Sequence, residues 1–153
     1  MKLHCGGCSC GTVRFAIKRY LYVLACHCNA CKKRTGSAYG LSVPVEVTNI
    51  ESFTGKTTTF VRTAESGRKV HYEFCPACGT TVRWSLEGTS SRFIFAAGAF
   101  DDVQELMAVG EMYTSVAALP WARLGCDLER PGLSDDGLKK AMIERTNALD
   151  RRS

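Results

Sequence analysis

Hydrophobic and polar residues alternate in short runs along most of this chain, and a period of two predicts strands. In residues 12–18 (TVRFAIK), Val13, Phe15 and Ile17 share one face while Thr12, Arg14 and Lys18 share the other, the pattern of a half-buried strand. The apolar run 20–25 (YLYVLA) predicts a partly buried strand. Residues 37–46 predict another, broken or placed at an edge by Pro44. Asn49 to Gly55 reads as loop, and Thr57 to Thr63 is β-branched and strand-like. Glu65-Ser66-Gly67 reads as a hairpin turn into residues 68–74, with Val70, Tyr72 and Phe74 facing inward. Residues 80–85 and 92–97 predict two more strands, followed by a loop over 98–104, and 105–118 carry no clear period. Ser134 is placed to cap a helix running to residue 150, with Leu138, Ala141, Met142, Arg145 and Leu149 on roughly one face. The expectation is one mainly β domain with a C-terminal helix, without internal repeats or low-complexity linkers.

Length agrees with this, since 153 residues fit one domain with a modest core. Hydrophobic residues at 45% and charged residues at 23% are ordinary for a globular chain. The net charge of +5 draws on Lys32-Lys33-Arg34 and on Arg151-Arg152, which read as a solvated turn and tail. The isoelectric point of 8.8 and the short basic run fall short of a nucleic-acid footprint. The first residues, MKLHCGGCSC, lack the apolar run of roughly 7–15 residues of a signal peptide, and nothing approaches the ~20 apolar residues of a membrane span. The expected compartment is the cytoplasm, where thiols stay reduced.

That expectation changes the meaning of the nine cysteines. All but Cys126 fall in three clusters: Cys5, Cys8 and Cys10; Cys26, Cys28 and Cys31; Cys75 and Cys78. Neighbours this close bridge poorly as disulfides but converge well on a thiophilic metal. Cys75-Pro-Ala-Cys78-Gly79 is a knuckle, and Cys8-Ser-Cys10-Gly11 offers a second pair if residues i and i+2 share one side of a strand end. Cys5-Gly-Gly-Cys8 is an equally good pair by spacing, so a zinc ribbon of Cys5, Cys8, Cys75 and Cys78 is an open alternative. The middle cluster, Cys26-His27-Cys28-Asn29-Ala30-Cys31, supplies three thiols and no obvious fourth. Three protein ligands with an open position are the mark of a catalytic zinc. His27, between two ligands, is expected to point away. His4 and His71 have no ligand-like neighbour, and Cys126 reads as a small half-buried residue or free thiol.

These motifs together resemble the glutathione-dependent formaldehyde-activating enzyme and centromere protein V family. The resemblance rests on Gly6-Gly-Cys-Ser-Cys-Gly-Thr-Val-Arg-Phe15, on Cys26-His-Cys-Asn-Ala-Cys31 with Thr35-Gly-Ser37, and on Phe74-Cys-Pro-Ala-Cys-Gly79 with Trp84. Ala97-Gly-Ala-Phe-Asp-Asp102 and Leu119-Pro-Trp121 follow in the family's order. It implies a zinc-stabilised β-tent of small antiparallel sheets over residues 1–126, with 127–153 as a C-terminal, helical extension. It implies two zinc ions per chain: a structural one on Cys8, Cys10, Cys75 and Cys78, and a second, exchangeable or catalytic one on Cys26, Cys28 and Cys31. Cys5 and Cys126 have no counterpart in that pattern. Two departures stand out: Gly110-Glu-Met-Tyr-Thr114 lacks the family's histidine, and Ala117-Ala118 replaces a polar pair.

The resemblance implies a carbon–sulfur lyase reaction, run toward S-hydroxymethylglutathione from glutathione and formaldehyde. A metal-held thiolate would be the nucleophile, and Lys32, Lys33 and Arg34 could attract the tripeptide's carboxylates. The expected partner is a small thiol such as glutathione, with neither membrane nor nucleic acid. Two other readings remain: a different thiol-processing zinc enzyme, and a non-enzymatic zinc module contacting nucleic acid or protein.

Overall fold

A computed structural model of the chain describes residues 2–116 and 119–151. Ala117, Ala118 and Arg152, noted above, lie outside the described residues. In chain order the strands are β1 (His4–Gly7), β2 (Arg14–Ile17), β3 (Leu24–Cys26), β4 (Gly40–Glu46), β5 (Ile50–Thr54), β6 (Thr58–Thr63), β7 (Lys69–Phe74), β8 (Thr81–Leu86), β9 (Arg92–Ala96), β10 (Gly110–Met112) and β11 (Leu128–Arg130). Two α-helices join them, α1 (Asn29–Thr35) and α2 (Asp136–Asp150). The chain is mainly β with a C-terminal helix, as the hydrophobic pattern requires. It divides into two units, Met1–Tyr20 with Val43–Glu105, and Leu21–Ser42 with Leu106–Ser153.

In the first unit, β1, β2 and β5 form an antiparallel sheet, with Gly6 opposite Phe15 and Phe15 opposite Phe53. Alternation from Val13 through β2 sends Val13, Phe15 and Ile17 inward to 0%, 2% and 0% exposure. Phe15 packs on Phe95 and Phe100, with ring centroids 4.7 and 5.0 Å away, and each such ring contributes on the order of 2–3 kcal/mol by leaving water. Gly6 is required beside them, because a Cβ there would stand 2.4 Å from the Phe15 ring and 2.3 Å from the Ala99 carbonyl. Strands β9, β8, β7 and β6 follow β4 in that order, with Val70, Tyr72 and Trp84 as a further buried cluster. The expected loop at 49–55 is instead strand β5. Ile50, Phe53 and Thr54 are strand formers, and the ladder to β2 carries the less favourable Glu51 and Ser52 between them.

In the second unit, β3 pairs antiparallel with Gly40–Ser42 of β4 and parallel with β10, which pairs parallel with β11. This mixed pairing goes beyond the small antiparallel sheets expected. Pro44 does not break β4, which runs from Gly40 to Glu46, and it lies past the residues that pair with β3, where a missing N–H removes no bond of that ladder. The apolar run at 20–25 yields a strand only from Leu24, because Tyr22 packs with Leu24, Val109, Leu138 and Met142 in a core against α2. Helix α2 is capped by Asp135, not Ser134: its carboxylate accepts the Leu138 N–H at 2.7 Å. The buried stripe is Leu138, Met142 and Thr146, at strict i+4 spacing, and Arg145 is exposed. Among the described residues no helix is long and apolar enough to cross a membrane.

Candidate metal centres

The first thiol cluster is built from two turns that carry the same backbone device. Cys75 to Cys78 folds into a knuckle in which the Gly79 N–H donates to the Cys75 carbonyl at 2.8 Å, with Gly79 at φ +75°. Cys8 to Cys10 repeats it: the Gly11 N–H donates to the Cys8 carbonyl at 3.0 Å, with Gly11 at φ +78°. Both glycines occupy the left-handed region that other residues adopt only with strain. Cys8 and Cys10 therefore converge through a turn after β1, not through alternation along a strand end. Ser9 links the knuckles, its hydroxyl 2.9 Å from that of Thr80.

The structure brings Cys8, Cys10, Cys75 and Cys78 together, with every sulfur within 4.8 Å of the others. Cys8 and Cys10 are 3.5 Å apart, and Cys10 and Cys75 are 3.7 Å apart. A tetrahedron with metal–sulfur bonds near 2.3 Å has edges of about 3.8 Å, so these thiols already stand at ligand spacing. The Thr12 hydroxyl lies 3.0 Å from Cys10 and 3.3 Å from Cys75. Burial alone would raise the Cys8 thiol, but the Val13 N–H and its polar neighbours bring it down to about 5. Cys78, beside the Thr80 hydroxyl at 3.3 Å, is drawn down to about 7. Cys5 is exposed and stands outside the cluster.

The second cluster takes Cys26 from the end of β3 and Cys28 and Cys31 from the start of α1. The Lys32-Lys33-Arg34 run, expected as a solvated turn, is thus part of a helix. Cys28 is its N-cap, with its sulfur accepting the Cys31 N–H at 3.4 Å, and Gly36 ends it at φ +63°. All three sulfurs lie within 4.8 Å of one another. Cys26 and Cys31 are buried and Cys28 is half-buried. Hydrogen bonds from the Cys26 and Cys31 thiols draw the Cys28 thiol down. The corresponding bonds to Cys28 and Cys31, with burial, push Cys26 up.

His27 does not join the sulfurs. Its ring is buried, with Nε2 2.7 Å from Oε2 of Glu111, itself fully buried. Burial would raise this carboxyl, but N–H donors from Leu124, His27 and Cys126 and the charge of Arg123 hold it below the usual carboxylate range. Glu111 lies in the stretch where no period was legible. Its one trace in the sequence is an acid set between Val109-Gly110 and Met112. Thr12, Thr80 and Arg123 also escaped the sequence reading; Thr12 and Thr80 each stand two residues past a cysteine, a spacing that could have pointed to them, whereas Arg123 meets Glu111 twelve positions away. His4 packs edge-on against Tyr20. Cys126 is raised by burial, and its thiol is 3.5 Å from the Ala108 carbonyl.

Soft thiolate donors in fours and threes, without competing carboxylates among them, suit a thiophilic metal ion and are compatible with zinc. A family model described as glutathione-dependent formaldehyde-activating enzyme matches residues 3–116. The chain belongs to that family. A crystal structure of a Rhodobacter sphaeroides protein is also similar in fold, with a TM-score of 0.51 and 15% identity over 64% of this chain and 88% of that one. In this member of the formaldehyde-activating family, both cysteine clusters fall within the matched region. So does the segment after Ala97, where Phe100 is buried and Asp101 accepts from Arg14 at 3.0 Å. The Pro-Trp motif falls beyond residue 116, in a short 3-10 turn, Pro120–Ala122, that leaves Trp121 79% exposed.

Proposed function

We propose that this protein is a zinc-dependent carbon–sulfur lyase that forms S-hydroxymethylglutathione from glutathione and formaldehyde, and that it works in a reducing cytoplasm. The family supports a glutathione- and formaldehyde-related role. One observation carries the assignment of the site: the two thiol sets differ in number, four against three. In this reading Cys8, Cys10, Cys75 and Cys78 hold a structural zinc, and Cys26, Cys28 and Cys31 hold a second zinc with a position left for substrate. Bound there, zinc supplies a positive charge that favours thiolate over thiol near neutral pH.

The chemistry is an addition. The glutathione sulfur forms a bond to the aldehyde carbon, the carbonyl electron pair moves to oxygen, and the thiol's proton ends on the new hydroxyl. The chain's task is to present a thiolate and to hold it in place. Cys28, half-buried at the start of α1, supports access from solvent to this cluster. The basic run has a simpler explanation than nucleic acid. Lys32, Lys33 and Arg34 fill the last turn of α1, where cations offset the helix dipole, and Lys32 Nζ donates to the Val116 carbonyl at 2.9 Å. Thiols add to formaldehyde unaided, so the test is rate. Purified protein loaded with zinc should accelerate hemithioacetal formation above the buffer rate, and Cys28→Ser should remove the excess. Equal rates with and without protein, at high protein concentration, overturn the proposal.

A further inference from the structure

Glu111 lies at zero exposure on β10, and the addition chemistry leaves it without a task. A buried carboxylate is costly unless its oxygens are satisfied. Here both are. Oε1 accepts the Cys126 N–H at 3.1 Å, and Oε2 accepts the Leu124 N–H at 3.1 Å and Arg123 Nε at 3.3 Å. Oε2 also meets His27 Nε2 at 2.7 Å.

The position of His27 gives this hub its meaning, because its neighbours on either side are Cys26 and Cys28. In the parallel pairing of β3 and β10, Ala25 stands opposite Glu111 and Cys26 opposite Met112. Side chains alternate along a strand, so His27 shares the face of Ala25 and Glu111, and Cys26 projects to the other. The backbone is fixed at the same point, since the His27 N–H donates to the Met112 carbonyl at 3.0 Å. The Tyr39 ring meets His27 edge-on at 5.4 Å. A imidazole locked on both sides leaves the peptide units joining Cys26 to Cys28 little freedom to turn.

We infer that Glu111 is a positioning residue for the three-thiol centre: by holding His27 it fixes the backbone that aims Cys26 and Cys28, and it ties residues 123–126 to the same point. The inference rests on the reading of that cluster as a metal centre. Groups that hydrogen-bond a ligand directly typically govern metal affinity by roughly 10–100-fold, and Glu111 acts toward the same end through His27 and the backbone on either side of it.

Cobalt(II) titration of the purified chain, with neither thiol nor aldehyde present, tests it. Thiolate charge-transfer and ligand-field bands report each centre, Cys28→Ser identifies the bands of the three-thiol set, and zinc competition gives the affinities. Glu111→Ala should weaken metal binding at the three-thiol centre by roughly 10–100-fold and leave the four-thiol centre unchanged. His27→Gln should give the same selective loss from the other end of the contact. Glu111→Gln, which keeps the shape and one accepting oxygen, should recover part of it. A folded Glu111→Ala or His27→Gln protein with wild-type bands and affinities overturns the inference. So does equal loss at both centres, or failure of all three variants to fold, since either marks Glu111 as a support of the whole fold. Wild-type protein that binds one metal sinks the proposed function together with this inference. Two metals in wild type with unchanged variants sink the inference alone.

Discussion

Cys75→Ser probes the four-thiol cluster at its most buried sulfur, which has 0% exposure. The substitution is nearly isosteric, so its chief effect is to remove a soft donor from the set. The magnitude follows from where the two knuckles lie in the chain. Cys10 and Cys75 are 65 positions apart in sequence and 3.7 Å apart in space. An unfolded chain can offer a metal one knuckle cheaply, but bringing the second to it costs about (3/2)RT ln 65, or about 4 kcal/mol. The folded chain has met that cost in advance, so it binds the metal more tightly by about this amount, and by linkage the metal stabilises the fold equally. For a chain of this size about 1 kcal/mol moves the melting temperature by roughly 2–4 °C. Losing the site should therefore lower Tm by about 8–16 °C. The assay is thermal unfolding of wild type and Cys75→Ser, each with saturating zinc and with a strong chelator, alongside metal content per chain. Wild type should fall toward the variant when chelated, and the variant should hardly respond to zinc. A variant that keeps its full metal content, or a wild type whose Tm ignores the chelator, refutes the reasoning.

Other expectations follow from single contacts. Cys28→Ser should lose one metal per chain and stay folded with a Tm close to wild type, whereas Cys5→Ser should lose none; elemental analysis and a melting curve check both. If Cys5→Ser removes the metal that Cys75→Ser removes, the ribbon pairing replaces the one described here. Met142→Ala empties a site of 0% exposure in the core against α2 and should cost about 2–5 kcal/mol, read by urea unfolding. The Asp135 carboxyl is held below its ordinary value, chiefly by the Leu138 N–H and then by Arg130. Its folded value thus lies below its unfolded one. The stabilisation is complete above the unfolded value of about 4 and is lost as the pH falls through the folded value. Asp135→Asn should leave helical circular dichroism less dependent on pH in that acid range, and an unchanged acid profile would refute the cap's titration.

How much of this was legible in the sequence depends on how far each residue's partner lies along the chain. The strands at β2 and β7 declared themselves through alternation and β6 through its β-branched residues, both local patterns, and β8 and β9 were likewise expected. The cysteine clusters did so through spacing, also local, and the structure gathers two sets of sulfurs with Cys5 in neither. Elements that exist because of distant partners stayed hidden. Strand β5 is short, lacks a regular alternation and takes its ladder from β2. The run at 20–25 yields Tyr22 to a helix that begins more than a hundred residues later. Glu111 is the sharpest case, because its partner His27 is 84 positions away and no motif joins them. The same distinction separates the two thiol clusters. The four-thiol set joins knuckles far apart in sequence, so its loss should be felt as stability. The three-thiol set spans Cys26 to Cys31 and closes no long loop, so a metal there adds little to the fold. What holds its thiols in position must then come from outside the motif, and the buried contact between His27 and Glu111, with the His27 N–H to the Met112 carbonyl, provides it at the peptide between Cys26 and Cys28.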